Sequence, residues 1–193
     1  MRNMNSISRF LFATACGVVL GIAVHIVVVL ASPRFAEGDA IARVRSTLES
    51  ETAQIVSPPG GGATWLPLPD PALAIAACAF DLNEGPARIA AKTGETFLSF
   101  SLHSKTSGVF FAVTDRAAIR GELELVIMTP RQLDEARAEE DENEPSRDVR
   151  IVAPEEQGYV IVRVAAPVRS LRPAATRAAE AVSCTVDGEG GEE

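Results

Sequence analysis

Histidine, cysteine and the large aromatic residues are scarce in this chain. Of 193 residues, 2 are His, 3 are Cys, 1 is Trp and 1 is Tyr. That scarcity excludes much chemistry. A zinc centre needs three or four clustered nitrogen, sulfur or oxygen ligands, and none converge in the sequence, so no metal and no other cofactor is expected. The GxSxG turn that lifts a nucleophilic serine above a sheet does not occur. Gly60-Gly61-Gly62 lacks the Lys-Ser/Thr and the following helix of a phosphate-binding loop. The acidic stretch from Glu139 to Glu144 lacks the ordered spacing and turning glycine of a calcium loop, and reads as a solvated face. A basic excess is missing too. The formal net charge is −8, which repels phosphate backbones and argues against a nucleic-acid partner.

Charge is absent altogether between Phe10 and Ala31, FLFATACGVVLGIAVHIVVVLA. About 20 residues of helix cross a hydrocarbon core of about 30 Å, so this run is long enough to span, and Pro33 stops it. Secretory signals carry a shorter apolar region, although Val29-Leu30-Ala31 has the character of a weak cleavage site. The run predicts a helix in contact with membrane lipid over residues 10–31. Arg2 and Arg9 before it nearly balance Arg34, Arg43 and Arg45 after it, so the positive-inside rule does not orient it. A short basic tail before a first apolar segment has the shape of a signal-anchor. It predicts a cytoplasmic N-terminus and a periplasmic domain, held in the inner (plasma) membrane by a single pass. His25 lies inside the span, either as an intramembrane polar contact with a partner helix or as a tolerated neutral imidazole. Gly17 and Gly21 form a GxxxG pair that permits a homodimer.

The remaining chain divides by its breakers and periods. Residues 1–9 form a tail, 32–69 a juxtamembrane helix and linker, 70–185 a soluble domain and 186–193 a Gly- and Glu-rich disordered tail. In the linker, Asp39 caps a helical pattern on Ile41, Val44 and Leu48, and Ser57-Pro58-Pro59-Gly60-Gly61-Gly62 is a loop. Asp70-Pro71 opens a helical turn over Ala72 to Ala76. From Cys78 the period becomes two, and strands are expected at 78–82, 87–91, 97–103, 109–114, 123–128, 149–153 and 159–165. Thr129-Pro130 starts a further helix, and Leu171 to Val182 reads as a closing Ala-rich helix ending at Cys184. The fold class expected is α+β, with a mainly antiparallel sheet of six or seven strands and short flanking helices.

Chemistry-bearing residues are few. Cys16 lies in the apolar run, which leaves Cys78 and Cys184 as a disulfide pair in an oxidising compartment, or as two buried thiols. On the strand 97–103, Ser99, Ser101 and His103 share one face, opposite Leu98, Phe100 and Leu102. A Ser-His-Asp arrangement can be assembled from Ser99 or Ser101, His103 and Asp115, although a nucleophile normally sits on a strained turn beside an oxyanion hole. A surface histidine beside serines is the plainer reading, and no catalytic residue is assigned.

The segment from Phe80 to Ile89, FDLNEGPARI, resembles the domain-of-unknown-function family 1254, in which Leu-Asp-Leu-x-x-Gly-Pro precedes strands like Thr96–Leu102 and Gly108–Val113. Pro33-Arg34-Phe35, Cys78 to Leu82, Met128-Thr129-Pro130 and Ser183-Cys184 resemble the small membrane-anchored alphaproteobacterial type of that family. The aromatic positions of the fuller family between Phe97 and Thr106 are here Ser99, His103 and Lys105. The resemblance implies no catalytic residues. It does imply a partner, a second small membrane protein of the related unknown-function family 1214. The expectation is therefore a non-enzymatic, membrane-anchored binding module of the cell envelope. The second reading is a small-ligand-binding protein or hydrolase-like enzyme using a pocket near Ser101, His103 and Asp115.

Overall fold

The computed structural model describes residues 5–32, 44–45, 51–62, 64, 66–104, 107–139 and 148–186. Two compact units are present, Met1–Asp39 and Ala40–Glu193. Among its described residues the first has one helix, α1 (Ser6–Ala31), of 26 residues. It begins four residues ahead of the charge-free run and includes Arg9 in its first turns. It is long and apolar enough to cross a membrane, as an anchor or a signal sequence would be. None of its residues is buried, and a Cβ added at Gly17 or Gly21 would meet nothing. Gly17, Gly21 and His25 follow at four-residue spacing along one face.

Among its described residues the second unit holds nine strands. They are β1 (Gln54–Ser57), β2 (Leu73–Asp81), β3 (Ala87–Lys92), β4 (Leu98–Ser104), β5 (Gly108–Thr114), β6 (Glu122–Met128), β7 (Val149–Val152), β8 (Gln157–Ala165) and β9 (Ser183–Val186). Helix α2 (Pro130–Glu139) follows β6, and helix α3 (Arg172–Glu180) follows β8. The class is α+β, as expected. The strands form a five-stranded sheet, ordered β1-β2-β8-β4-β5, and a four-stranded sheet, ordered β7-β6-β3-β9. Every pairing is antiparallel except β6 with β7. A parallel pair needs a crossover of a dozen or more residues, and α2 supplies 10 residues of it. That helix starts with a capping box: Gln132 N–H donates to Thr129 Oγ1 and Thr129 N–H donates to Gln132 Oε1.

One core joins the two sheets. Ala74, Ala76, Cys78 and Phe80 of β2 face inward with Phe100 of β4 and Val162 of β8, and meet Ile89 of β3 and Leu125 of β6. Ala175 and Ala179 of α3 complete it over β1, β2 and β8. Their small side chains let the helix lie close to the alanines of β2. Gly158 is required by close approach: an added Cβ would overlap the His103 carbonyl and the Phe80 ring.

Several expectations are corrected here. Leu73 to Ala77 extends β2 instead of forming a helical turn. Asp70 still organises the entry, accepting from Ala72 N–H at 2.8 Å. Because Ala74, Ile75, Ala76 and Ala77 are all buried, the run shows no alternation to mark it as a strand. Cys184 lies on β9 and not at a helix end, since α3 stops at Glu180. The stretch read as linker contributes β1. Of the helix expected around Ile41, Val44 and Leu48, only Val44 and Arg45 fall within the described residues. Val186, expected in the disordered tail, ends β9, while most of the acidic stretch and the rest of the Gly- and Glu-rich tail lie outside the described residues.

At one corner the chain serves both sheets in turn. Ala53 N–H donates to Val182 O at 2.9 Å, and Cys184 N–H to Glu51 O at 2.8 Å. Gln54 and Ile55 then pair with Ala77 and Ala76 of β2. At this corner Cys78 and Cys184 form a disulfide, Sγ–Sγ 2.15 Å and Cα–Cα 6.5 Å, across 106 positions of sequence. The far edges, β5 and β7, have no such closure among the described residues. There Phe110, Phe111, Val113, Ala118 and Val149 pack against the core only partly buried.

Candidate functional site

The outer face of the five-stranded sheet carries the serine and histidine singled out in the sequence. Period-two geometry turns Ser99, Ser101 and His103 away from the core. Pairing of β4 with β8 sets Ser99 opposite Arg163, Ser101 opposite Ile161 and His103 opposite Tyr159. Arg163 Nη1 donates to Ser101 Oγ at 2.7 Å. The same oxygen lies 3.0 Å from His103 Nε2. The imidazole stacks on the Tyr159 ring, with centroids 4.7 Å apart and planes inclined by 12°. Ser101 is buried, while His103, Tyr159 and Arg163 are half-buried.

Hydrogen-bond direction follows from the chemistry of each partner. A guanidinium only donates, so Ser101 accepts from Arg163 and has its own proton for His103. Burial, and after it the positive charge of Arg163, hold the His103 pKa below the usual 6.5. The ring is neutral at pH 7, with Nε2 as acceptor and the proton on Nδ1.

Asp115 does not join this group. Its carboxylate accepts from Leu98 N–H at 3.3 Å, at the opposite end of β4 from His103. The three-residue arrangement drawn from the sequence is therefore not assembled; the third member beside Ser101 and His103 is Arg163. Ser101 sits in the middle of a regular strand paired on both sides. Its neighbouring backbone N–H groups serve the ladders, which leaves no pair of donors aimed at a developing oxyanion. A positive neighbour also weakens histidine as a base. The geometry holds and orients; it does not activate a nucleophile.

A second polar group lies at the Asp81 end of the face. Gln157 Nε2 donates to Asp81 Oδ2 at 2.6 Å, and Gln157 Oε1 accepts from Arg45 Nη2 at 2.9 Å. Burial pushes the Asp81 carboxyl up, but the Asn83 backbone and side chain, Gln157 and the charge of Arg45 outweigh it and leave the pKa below the ordinary 3.8. With Val44 only 2% exposed, this clasp holds Val44 and Arg45 against the domain. Two concavities formed by described residues lie elsewhere. One of about 580 Å³ runs between Ala90, Lys92, Glu122 and Glu124 and the α3 side at Ala178 and Ser183. The other, of about 200 Å³, lies near Arg120 and Val149. No group of three or more His, Cys, Asp or Glu among the described residues is arranged to hold a metal ion.

No protein-family model matches this chain. No curated protein is similar to it. Solved structures are similar in fold. The VPA0106 protein of Vibrio parahaemolyticus aligns over 74% of this chain and 32% of its own, with a TM-score of 0.51 at 10% identity. An uncharacterized protein from Burkholderia cenocepacia aligns over 80% of this chain and 40% of its own, with a TM-score of 0.48 at 13% identity. The chain thus spans about a third of the Vibrio protein and two-fifths of the Burkholderia one.

Arg163 and Tyr159 were missed in the sequence. The alternation of β8 puts Tyr159, Ile161 and Arg163 on one face, but only the register against β4 brings that face to Ser101.

Proposed function

We propose that this chain is a membrane-anchored envelope module that binds a partner protein and performs no catalysis of its own. The carrying observation is the open side of the sandwich. Strand β5 is an edge strand of seven residues with no charge and no proline, and Val109 is 57% exposed. Soluble proteins usually blunt such an edge with charge, proline, a bulge or a cover; β5 has a bulge at Phe110, opposite Leu102 and His103, but no charge or proline, and no described residue covers it. An edge left apolar suits the addition of a strand from another protein. The resemblance to family 1254 supplies the candidate, a second small membrane protein related to family 1214.

In this proposal α1 is a retained signal-anchor, with its N-terminus cytoplasmic and the sandwich in the periplasm. The disulfide supports that side, because structural disulfides persist in oxidising compartments. The face bearing Gly17, Gly21 and His25 offers a helix contact for a second copy or for the partner's own span. Purification of the full chain from membranes in mild detergent tests the proposal. A co-purifying protein is expected, and an Ala112→Lys variant should lose it while remaining folded. Recovery as a lone monomer at every concentration counts decisively against the module. A C-terminal reporter active only in the cytoplasm would overturn the orientation.

A further inference from the structure

Arg163 is the feature of the outer face that the partner-binding reading leaves unused. Among the described residues no carboxylate lies within ion-pair distance of it. Its hydrogen bond goes to Ser101 Oγ, which one of its several N–H groups satisfies. In a chain of net charge −8, a half-buried guanidinium without a counter-ion is unusual, because desolvating a charge costs free energy unless something compensates it.

Its surroundings are matched to an anion. Ser99 stands opposite Arg163 and Thr114 opposite Ser99, so hydroxyls able to donate flank the guanidinium. His103 Nε2 and Arg163 Nη1 both lie within 3.0 Å of Ser101 Oγ. With Ser101 accepting from Arg163 and donating to His103, the group has its unused capacity in donors: the remaining guanidinium N–H groups and the Nδ1–H of the ring. The floor beside Ser101 is apolar, formed by Ile161 and the buried Ala77, and a low local dielectric strengthens a charge-assisted hydrogen bond. The carboxylate on this face of β2, Asp81, is at the far end and already engaged by Asn83 and Gln157.

We propose that Arg163, Ser99, Ser101 and His103 form a binding site for a small oxyanion, a carboxylate or a phosphate, on the outer face of the five-stranded sheet. Arg163 supplies the charge and the planar fork that fits two oxygens. Ser101 fixes the guanidinium and the imidazole relative to one another. His103, stacked on Tyr159, supplies a neutral N–H donor. This site stands independently of the partner-binding reading, since it uses the sheet face and not the β5 edge.

The chain has 2 histidines, so ring signals of the isotope-labelled full-length protein in zwitterionic micelles report the site directly. Titration with sodium phosphate or sodium acetate, at ionic strength held constant with chloride, should move the His103 signals saturably and leave His25 unmoved. Loss of a charge-assisted bond corresponds to about a tenfold weakening or more, and that is expected for Arg163→Gln. Ser99→Ala should weaken binding about two- to fivefold, as for a neutral hydrogen bond. Nanodiscs with and without phosphatidylglycerol separate the sources: His103 shifts only with the anionic lipid mark a headgroup, and shifts with phosphate in lipid-neutral discs mark a soluble anion. His103 signals that stay fixed at about 50 mM of both anions, far above a useful Kd, overturn the proposal. So do shifts of equal size in Arg163→Gln. Should that variant not fold, Arg163→Lys keeps the charge and removes the fork, and unchanged affinity for both anions in Arg163→Lys and Ser99→Ala would overturn the site equally.

Discussion

The two far edges of the sandwich are built in opposite ways. At the β1/β9 corner, residues 51–57 pair with one sheet and then the other, and a disulfide joins β2 to β9. At the β5 and β7 edges no bond closes the gap among the described residues, and Phe110 and Phe111 fill it only partly. A fold with one fastened edge can leave the other unfinished, because the fastened edge holds the sheets in register without help. The difference separates two tasks that compete when they share a surface, namely keeping the core together and presenting apolar edge to a partner.

The largest test removes the fastening. Cys184→Ser should lower the unfolding free energy by up to about 4–5 kcal/mol, the loop-closure value for roughly a hundred residues. Urea denaturation measures it, and the oxidised wild type should migrate faster than the reduced form on electrophoresis. Equal midpoints with and without reductant would show that the corner holds by pairing alone. Next comes Gly158→Ala, on the strand between the two regions, where the added methyl has no room. A loss of about 1–3 kcal/mol is expected for overpacking, and a thermal midpoint unchanged from wild type would mean that β8 yields more easily than its contacts imply.

A smaller effect concerns pH. The folded pKa of His103 is depressed, so protons bind more readily to the unfolded chain. The stability from a neutral His103 is fully present above the ordinary 6.5 and is lost as the pH falls towards the folded value. His103→Gln should flatten that part of the pH profile, and a profile identical to wild type would exclude the histidine as its source. The smallest change in stability belongs to Ala112→Lys on β5, within about 0.5 kcal/mol for an exposed position. That variant should nevertheless lose the partner protein. Loss of the partner on breaking the corner, with none on altering β5, would reverse the comparison.

The strands whose faces differ were legible before the fold was known. Leu98, Phe100 and Leu102 alternate with Ser99, Ser101 and His103, and β8 alternates as clearly. The Thr129 cap of α2 was legible because the residue types needed at its two positions are specific. The stretch buried on both sides was not, nor were two of the three strands of 4 residues. Leu73 to Ala77 is apolar throughout, and β1 and β9 have only 4 residues each. For the outer-face site, the shared face of Ser101 and His103 follows from period two alone. Arg163 belongs to a strand 62 positions from Ser101, and no local pattern specifies that register. Asp115 was misplaced for the complementary reason: closeness in sequence does not carry a side chain around the end of a strand.

The stretch 51–57 has a mechanical consequence. Among the described residues it is the first segment after α1 that pairs with the sheets, so if α1 is the tether proposed above, any pull between membrane and partner that overcomes the Arg45–Gln157 hydrogen bond enters the sheets there. The load then divides between β2, through Gln54 and Ile55, and β9, through Ala53 and Cys184. Those two strands are covalently joined by Cys78 and Cys184. Traction on the tether therefore meets a cross-linked pair before it can peel one sheet from the other, and an oxidised chain should withstand forces that unravel a reduced one.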